Sequence, residues 1–383
     1  MSVIDRRLLS NFDWGLVCFA IGIPLCGLVV LFSAGYDVDG VVDLFGLFHV
    51  DFPSAACLKQ AVYLVVGLAL LLVGMGIPTQ TLYRYSFALY VVALALLIAV
   101  AGFGVVVNGS RRWLSVGGLN IQPAEFMKLG LIVTMARVLS KRLPRDGEGY
   151  RLGELVLPAI IVGLPMALIA KQPDLGTALS LGIVGVAQIL FVGVRGRTLL
   201  TIVAAMLIFA YPAWEMLHDY QQRRILVLLD PESDPKGSGY HITQSKIAVG
   251  SGELFGKGYR QGTQTQLEFL PEHTTDFVFS VLAEEWGFAG SCILLGLFFG
   301  LFVSMLRIAS RTRDLFACLV AFGITAQIFA QVVINIGMVI GLMPVVGIPL
   351  PLVSYGGSSM ISILFSLGIV QGVSIRRLQY RPS

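Results

Sequence analysis

Long apolar runs recur from one end of the chain to the other, separated by polar clusters rich in Gly, Pro and Asp. A run of roughly 20 apolar residues is long enough to cross a bilayer as a helix. Such runs fall at about 14–32, 58–77, 85–106, 124–139, 155–170, 175–194, 199–216, 278–306, 317–342 and 358–373. No water is available inside a bilayer to satisfy backbone groups, so spanning segments must be helices or barrel strands. Barrel strands show period-two alternation, which is absent here. The pattern therefore predicts an all-α polytopic membrane protein of about ten transmembrane helices, forming one integral domain over residues 1–383. An even number of spans puts both termini on one side.

Two places test that reading. Glu125, Lys128 and Arg137 interrupt the fourth run, and Lys171, Gln172, Pro173 and Asp174 separate the fifth from the sixth. The first run, beginning near Trp14, resembles the core of a signal peptide. No small-residue cleavage site follows it, so it reads as a retained span. Between the seventh and eighth spans, residues 218–275 form one large extracytoplasmic loop rich in Gly, Gln and Ser. Long loops in compact proteins are usually functional. Within this one, 242–250 has helical spacing with Gln244 and Lys246 on its polar side.

Composition agrees with a membrane location. Only 13% of the 383 residues are charged, 56% are hydrophobic, and the mean hydropathy is +0.81. A soluble domain carries about a quarter charged residues. The distribution of charge is more informative than the net +4. Fifteen Lys and Arg residues fall beside the termini and the loops on their side. Only Lys59, Arg111, Arg112 and Lys171 fall in the short loops opposite. The positive-inside rule then makes both termini cytoplasmic. The five cysteines lie in or beside apolar runs and read as small packing residues rather than a disulfide framework.

Chemistry concentrates in the outward-facing segments. Residues 267–288 read LEFLPEHTTDFVFSVLAEEWGF. Pro271 can break the approach, and Thr274 or Thr275 can cap a helix beginning at Asp276. Asp276 would then sit where water meets lipid, either as a helix cap acting through the dipole or as a catalytic carboxylate facing a lipid headgroup. Residues 108–128 read NGSRRWLSVGGLNIQPAEFMK. Arg111 and Arg112 beside Trp113 are open to two readings, an interface anchor or a phosphate clamp. Glu125 and Lys128 share a helix face just inside the span, where charges pair or line a polar cavity. Asn108-Gly-Ser110 matches a glycosylation sequon by pattern only.

Asp174 can cap the sixth span. Gln327, Gln331 and Asn335 form a polar stripe on the ninth, serving either as helix glue or as a groove wall. The prolines and glycines of GLMPVVGIPLPLVSYGGSS, residues 341–359, predict a broken re-entrant segment. There is no phosphate-binding Gly-rich loop, no nucleophile elbow and no metal-ligand spacing. His273 can assist Asp276 or merely face solvent.

Taken together, these stretches are similar to the SEDS family (shape, elongation, division and sporulation), and to its RodA branch more than its FtsW branch. The resemblance spans nearly the whole chain. It rests on the segments quoted above together with KQPDLGTA (171–178) and DPESDPKGSGYHITQSKIAVGSGELFGKG (230–258). It implies a ten-span peptidoglycan glycosyltransferase of the bacterial inner membrane that polymerises lipid II at the outer face during cell elongation. It also implies work with a class B penicillin-binding protein and other elongation-complex proteins, with no nucleic acid involved. The family's catalytic aspartate matches Asp276, and its functional Glu and Lys match Glu125 and Lys128. The chain departs from the family in one place. Thr274 stands where a His usually precedes ThrAsp, and His273 lies one position earlier.

The implied reaction joins a sugar hydroxyl to the anomeric carbon of a second lipid-linked disaccharide and releases undecaprenyl pyrophosphate. A single inverting displacement needs one base, assigned to Asp276. Arg111, Arg112, Lys128 and Lys246 are candidates to balance the pyrophosphate charge. A divalent cation (Mg or Mn) can share that task, although no ligand cluster is evident. The rival reading is a flippase for a lipid-linked precursor, which calls for charges near mid-bilayer on broken helices.

Overall fold

The computed structural model describes residues 11–377, apart from 37–40, 45–47, 108–109, 117–118, 142–148, 216–218, 236, 268 and 271. Pro271, Asn108 of the sequon and the outermost basic residues lie outside the described residues. The spanning helices are α1 (Trp14–Ala34), α2 (Ala55–Gly76), α3 (Thr79–Phe103), α4 (Pro123–Lys141), α5 (Val156–Ala170), α6 (Leu175–Val192) and α7 (Gly196–Glu215). The loop that follows carries α8 (Asp219–Leu229) and α9 (Ser238–Ser251). Three more spans complete the chain: α10 (Val278–Arg311), α11 (Leu315–Val339) and α12 (Gly357–Arg376). Eight of these segments are long and apolar enough to cross a membrane by length and composition. The others that align with expected spans are α4 and α7, the latter with a shorter apolar run at Gly196–Pro212.

α4 owes its interrupted pattern to its position. It is packed by α3, α5, α6, α11 and α12, so little of it meets lipid. Lys128 Nζ lies 2.6 Å from Glu125 Oε1, and both side chains are buried. Arg137 donates to the Tyr83 and Arg84 carbonyls at 3.0 and 3.3 Å while its guanidinium rests on the Tyr83 and Phe87 rings. Each charge is thus neutralised or capped, as a bilayer demands.

The break between α5 and α6 falls at the predicted turn. Asp174 caps α6, its Oδ1 accepting from the Thr177 amide at 3.1 Å. The loops also hold two small antiparallel sheets that the apolar pattern did not reveal. β1 (Val41–Leu44) pairs with β2 (Phe48–Asp51). β3 (Val105–Val107), β4 (Ser110–Val116) and β5 (Leu119–Ile121) pair in that order.

The segment between α11 and α12 is non-helical and largely buried, as a re-entrant wall should be. Gly341 and Gly347 take positive φ values of 73° and 70° there. The segment threads between spans: a Cβ at Gly27 would lie 2.8 Å from Val353 Cα, and one at Gly176 would lie 2.5 Å from the Val346 oxygen.

α10 is kinked at Gly287 (φ 65°, ψ −160°). A regular helix would bond the Phe288 and Ala289 amides to the Glu284 and Glu285 carbonyls. Instead those amides donate to the Glu253 and Leu254 carbonyls at 2.9 and 3.0 Å. The freed Glu284 and Glu285 carbonyls accept from the Lys257 and Gly258 amides at 3.0 and 3.1 Å. Residues 253–258 of the outer loop therefore supply both missing rungs.

Candidate active site

Asp276 sits in a tight turn over residues 272–277, held from several sides. The Thr275 and Phe277 amides donate to the Glu272 carbonyl. The Tyr355 amide of the re-entrant segment donates to the Thr274 carbonyl at 2.9 Å. Asn335 Nδ2, from α11, donates at 2.8 Å to both the Asp276 and the Ile348 carbonyls. The polar stripe of α11 thus acts as glue at its outer end.

The expected cap role does not materialise. α10 begins at Val278 with Phe277 as its cap residue and no side-chain cap bond. Thr275 Oγ1 donates to Glu272 Oε2 at 2.8 Å instead. The sequence placed the helix start two residues early because a buried aromatic, not a polar side chain, precedes the first turn. Among the described residues the Asp276 carboxylate is left without a hydrogen-bond or ion-pair partner. Gly347 approaches it closely, and a Cβ there would lie 3.4 Å from Oδ2.

Burial pushes the Asp276 carboxyl up to about 6, with the negative charges of Glu272 and Asp174 adding to the effect. Arg112 and Arg224 pull the other way. A base with this affinity is ionised near neutral pH yet binds a proton far more readily than a solvated aspartate.

The two adjacent arginines diverge, as alternate strand residues must. Arg112 Nη1 lies 3.6 Å from Asp174 Oδ2, and its other nitrogens donate to the Gln172 and Pro173 carbonyls at 3.3 and 2.7 Å. Gln122 Nε2 also reaches Asp174 at 3.4 Å. Arg111 is exposed and donates to the Ala101 carbonyl at 3.2 Å, near the end of α3. The structure therefore brings Arg112 to the aspartate's surroundings and leaves Arg111 as an anchor.

Glu125 and Lys128 form a closed buried pair, further capped by Ser362 Oγ donating to Glu125 Oε2 at 2.8 Å. The charges that act on Asp276 are instead those of Glu272, Asp174, Arg112 and Arg224. Lys246 is exposed on α9 and lies against Gly341 of the re-entrant segment. His273 is half-buried, its two ring nitrogens within hydrogen-bond distance of the Leu270 and Ala34 main-chain carbonyls.

Three contributors escaped the sequence reading. Arg224 of α8 acts on Asp276 from the large loop. Its signal was the Arg223-Arg224 pair on the outward side, against the positive-inside bias. His241 of α9 stacks on Phe277 with ring centroids 5.9 Å apart and planes 9° apart. Burial lowers the affinity of that imidazole for a proton, which suits it to packing. Glu284, fully buried in α10, pairs with Lys257 at 2.7 Å and accepts from the Gln264 amide at 3.0 Å. No cluster of three or more potential metal-ligating side chains occurs among the described residues.

The sequence profile of the FtsW/RodA/SpoVE family, described as "Cell cycle protein", matches residues 14–379. The chain belongs to this family. Among its FtsW/RodA/SpoVE relatives, peptidoglycan glycosyltransferase MrdB of Escherichia coli K12 is 42% identical over 82% of this chain and 84% of its own. MrdB of Helicobacter pylori J99 is 37% identical over 97% of this chain and 92% of its own. Two solved FtsW/RodA/SpoVE structures share the fold. One comes from a peptidoglycan synthase complex described as coordinating polymerization and crosslinking. It superposes with a TM-score of 0.81 at 33% identity, covering 96% of this chain and 99% of its own. The other is Thermus thermophilus RodA, with a TM-score of 0.69 at 31% identity and coverage of 96% and 98%.

Proposed function

We propose that this multi-pass membrane glycosyltransferase polymerises lipid II into peptidoglycan strands, with Asp276 as the general base. One observation carries the reading: a carboxyl whose pKa is pushed up to about 6, without a bonding partner among the described residues, held by its main chain and acted on by the charges of Arg112 and Arg224. The base accepts the proton of the acceptor sugar hydroxyl as that oxygen attacks the anomeric carbon. Undecaprenyl pyrophosphate leaves, and the two arginines supply positive charge for it. Glu125 and Lys128 support the wall between α4 and α12 rather than the reacting atoms. Both polyprenyl tails remain in the bilayer between spans.

In this reading both termini lie in the cytoplasm and the site at the outer face of the inner membrane, an orientation that the positive-charge bias of the loops supports. A class B penicillin-binding protein is the partner that cross-links the strands, a reading supported by the similar chain in a peptidoglycan synthase complex that coordinates polymerization and crosslinking.

The test is polymerisation of lipid II by the purified protein with its penicillin-binding partner. Wild type yields glycan chains, while Asp276→Asn in a folded protein loses about a hundred- to ten-thousand-fold in rate. An Asn variant polymerising at the wild-type rate would remove Asp276 as base. Lipid II crossing the bilayer with no polymer formed would favour transport instead.

A further inference from the structure

Residues 253–259 of the large loop form a strap against the kink of α10, and its side chains are unlike those of a watery loop. Leu254 and Phe255, at its turn, are exposed, Phe255 to 81%. Bare apolar side chains of this kind mark a contact with lipid or with another protein.

We propose that the strap is a shallow membrane wedge, with Leu254 and Phe255 seated in the outermost hydrocarbon of the outer leaflet. The proposal does not depend on Asp276 being the base.

The strap sits at membrane depth. Tyr259 Oη donates to the Val29 carbonyl at 3.2 Å. Val29 precedes Ala34, the last residue of α1, by about 7.5 Å of helix at about 1.5 Å per residue. Gln266, later in the loop, meets α1 nearer its outer end, at the Ser33 carbonyl. On α10, the strap's Lys257 and Gly258 amides face the Glu284 and Glu285 carbonyls, and its Glu253 and Leu254 carbonyls face the Phe288 and Ala289 amides. The strap is thus inserted at the level of Gly287, where the long apolar run of α10 begins. Phe288, Ile293 and Phe299 are exposed along that run and face lipid. Leu254 and Phe255 extend the same apolar surface sideways.

Its main chain is prepared for hydrocarbon. Besides the four groups bonded to α10, the Gly256 amide donates to the Gly252 carbonyl at 2.7 Å. A loop in water can leave such groups to solvent, whereas one in lipid must pair them within the protein. The polar side chains fit a shallow position. Lys257 Nζ is held 2.7 Å from Glu284 Oε1. The Tyr259 and Trp286 rings meet edge to face at 6.2 Å, a pair suited to the headgroup level where such rings gather. The exposed Glu253 limits the depth to the border of headgroups and acyl chains, where interfacial apolar faces settle. The segment from Val278 to the kink carries the Asp276 turn at its outer end, so the wedge sets the height of that turn over the leaflet.

The experiment uses the full chain in lipid nanodiscs, first alone and then with its penicillin-binding partner. Photoreactive p-benzoylphenylalanine replaces Phe255, whose exposed ring leaves room for it. Ile293 and Gln261 receive the same group, as a lipid-facing position and an exposed polar loop position. After irradiation, mass spectrometry identifies what each position has captured. We expect acyl-chain adducts at 255 within about twofold of those at 293 and about tenfold above those at 261. Phe255→Trp gives an independent reading. Relative to wild type, its added indole is quenched by phospholipids brominated on their acyl chains and not by iodide in the water. Adducts at 255 no more abundant than at 261, or quenching by iodide alone, put the strap in water and overturn the wedge. Capture of the partner protein at 255 in place of lipid overturns it in favour of a protein-docking surface.

Discussion

Asn335 Nδ2 donates to the main-chain oxygen of Asp276 at 2.8 Å and, at the same distance, to that of Ile348. One amide on α11 thus locks the carboxylate's turn to the re-entrant wall. Asn335→Leu strands two carbonyls, each costing about 1–3 kcal/mol if left unpaired. Polymerisation by this variant falls about tenfold, and its thermal midpoint drops. Asn335→Gln, longer by a methylene, recovers neither fully. Paired rate and melting measurements on both variants check this.

The raised proton affinity of Asp276 sets a pH dependence. The base is active only when ionised, so kcat/KM climbs about tenfold per pH unit in acid and levels off above about 6. Stability moves the other way. The folded state binds the proton more tightly than the unfolded chain, so Asp276 costs stability as pH rises from about 4 to about 6. Asp276→Asn therefore matches wild type in melting temperature at pH 4 and exceeds it at pH 7. Melting curves across that range, read beside the rate profile, test both signs.

Arg112 and Arg111 differ in the work they do. Arg112→Ala removes the ion pair to Asp174 and a positive charge acting on Asp276, so KM for lipid II rises by about tenfold. Arg111→Ala loses one exposed bond to the Ala101 carbonyl and changes activity by less than about twofold. Equal loss from both would show the divergence of the two side chains to be without consequence.

The Glu125–Lys128 pair answers to a double-mutant cycle. Removing one partner leaves a buried charge uncompensated, at a cost of about 3–5 kcal/mol, whereas removing both spares that penalty. Glu125→Gln and Lys128→Met each destabilise the protein strongly, and the double variant is more stable than either single one. Melting temperatures in detergent measure the coupling.

The spans were legible because lipid leaves little choice: a stretch either satisfies its own backbone and presents apolar side chains or stays outside. α4 was harder to read because protein surrounds it, so its charges could be paired rather than avoided. The two small sheets, β1–β2 and β3–β5, were hidden, since short strands between turns carry too few residues for a period to emerge. Asp276 stood out by chemical type and place, but its freedom from a capping role did not. Arg224, Asn335 and the two acceptors of His273 acquire their meaning only when segments distant in sequence meet.

The borrowed rungs of α10 also bear on how the protein is made. Residues 253–258 leave the ribosome before α10 does, so the strap is already synthesised when its helix arrives. It must be folded back by the time that helix partitions into lipid. Otherwise the peptide groups around Gly287 would enter hydrocarbon bare, at several kcal/mol each. Chain order thus acts as an assembly instruction, and a permuted chain with the strap after its helix would stall at the insertion of that span.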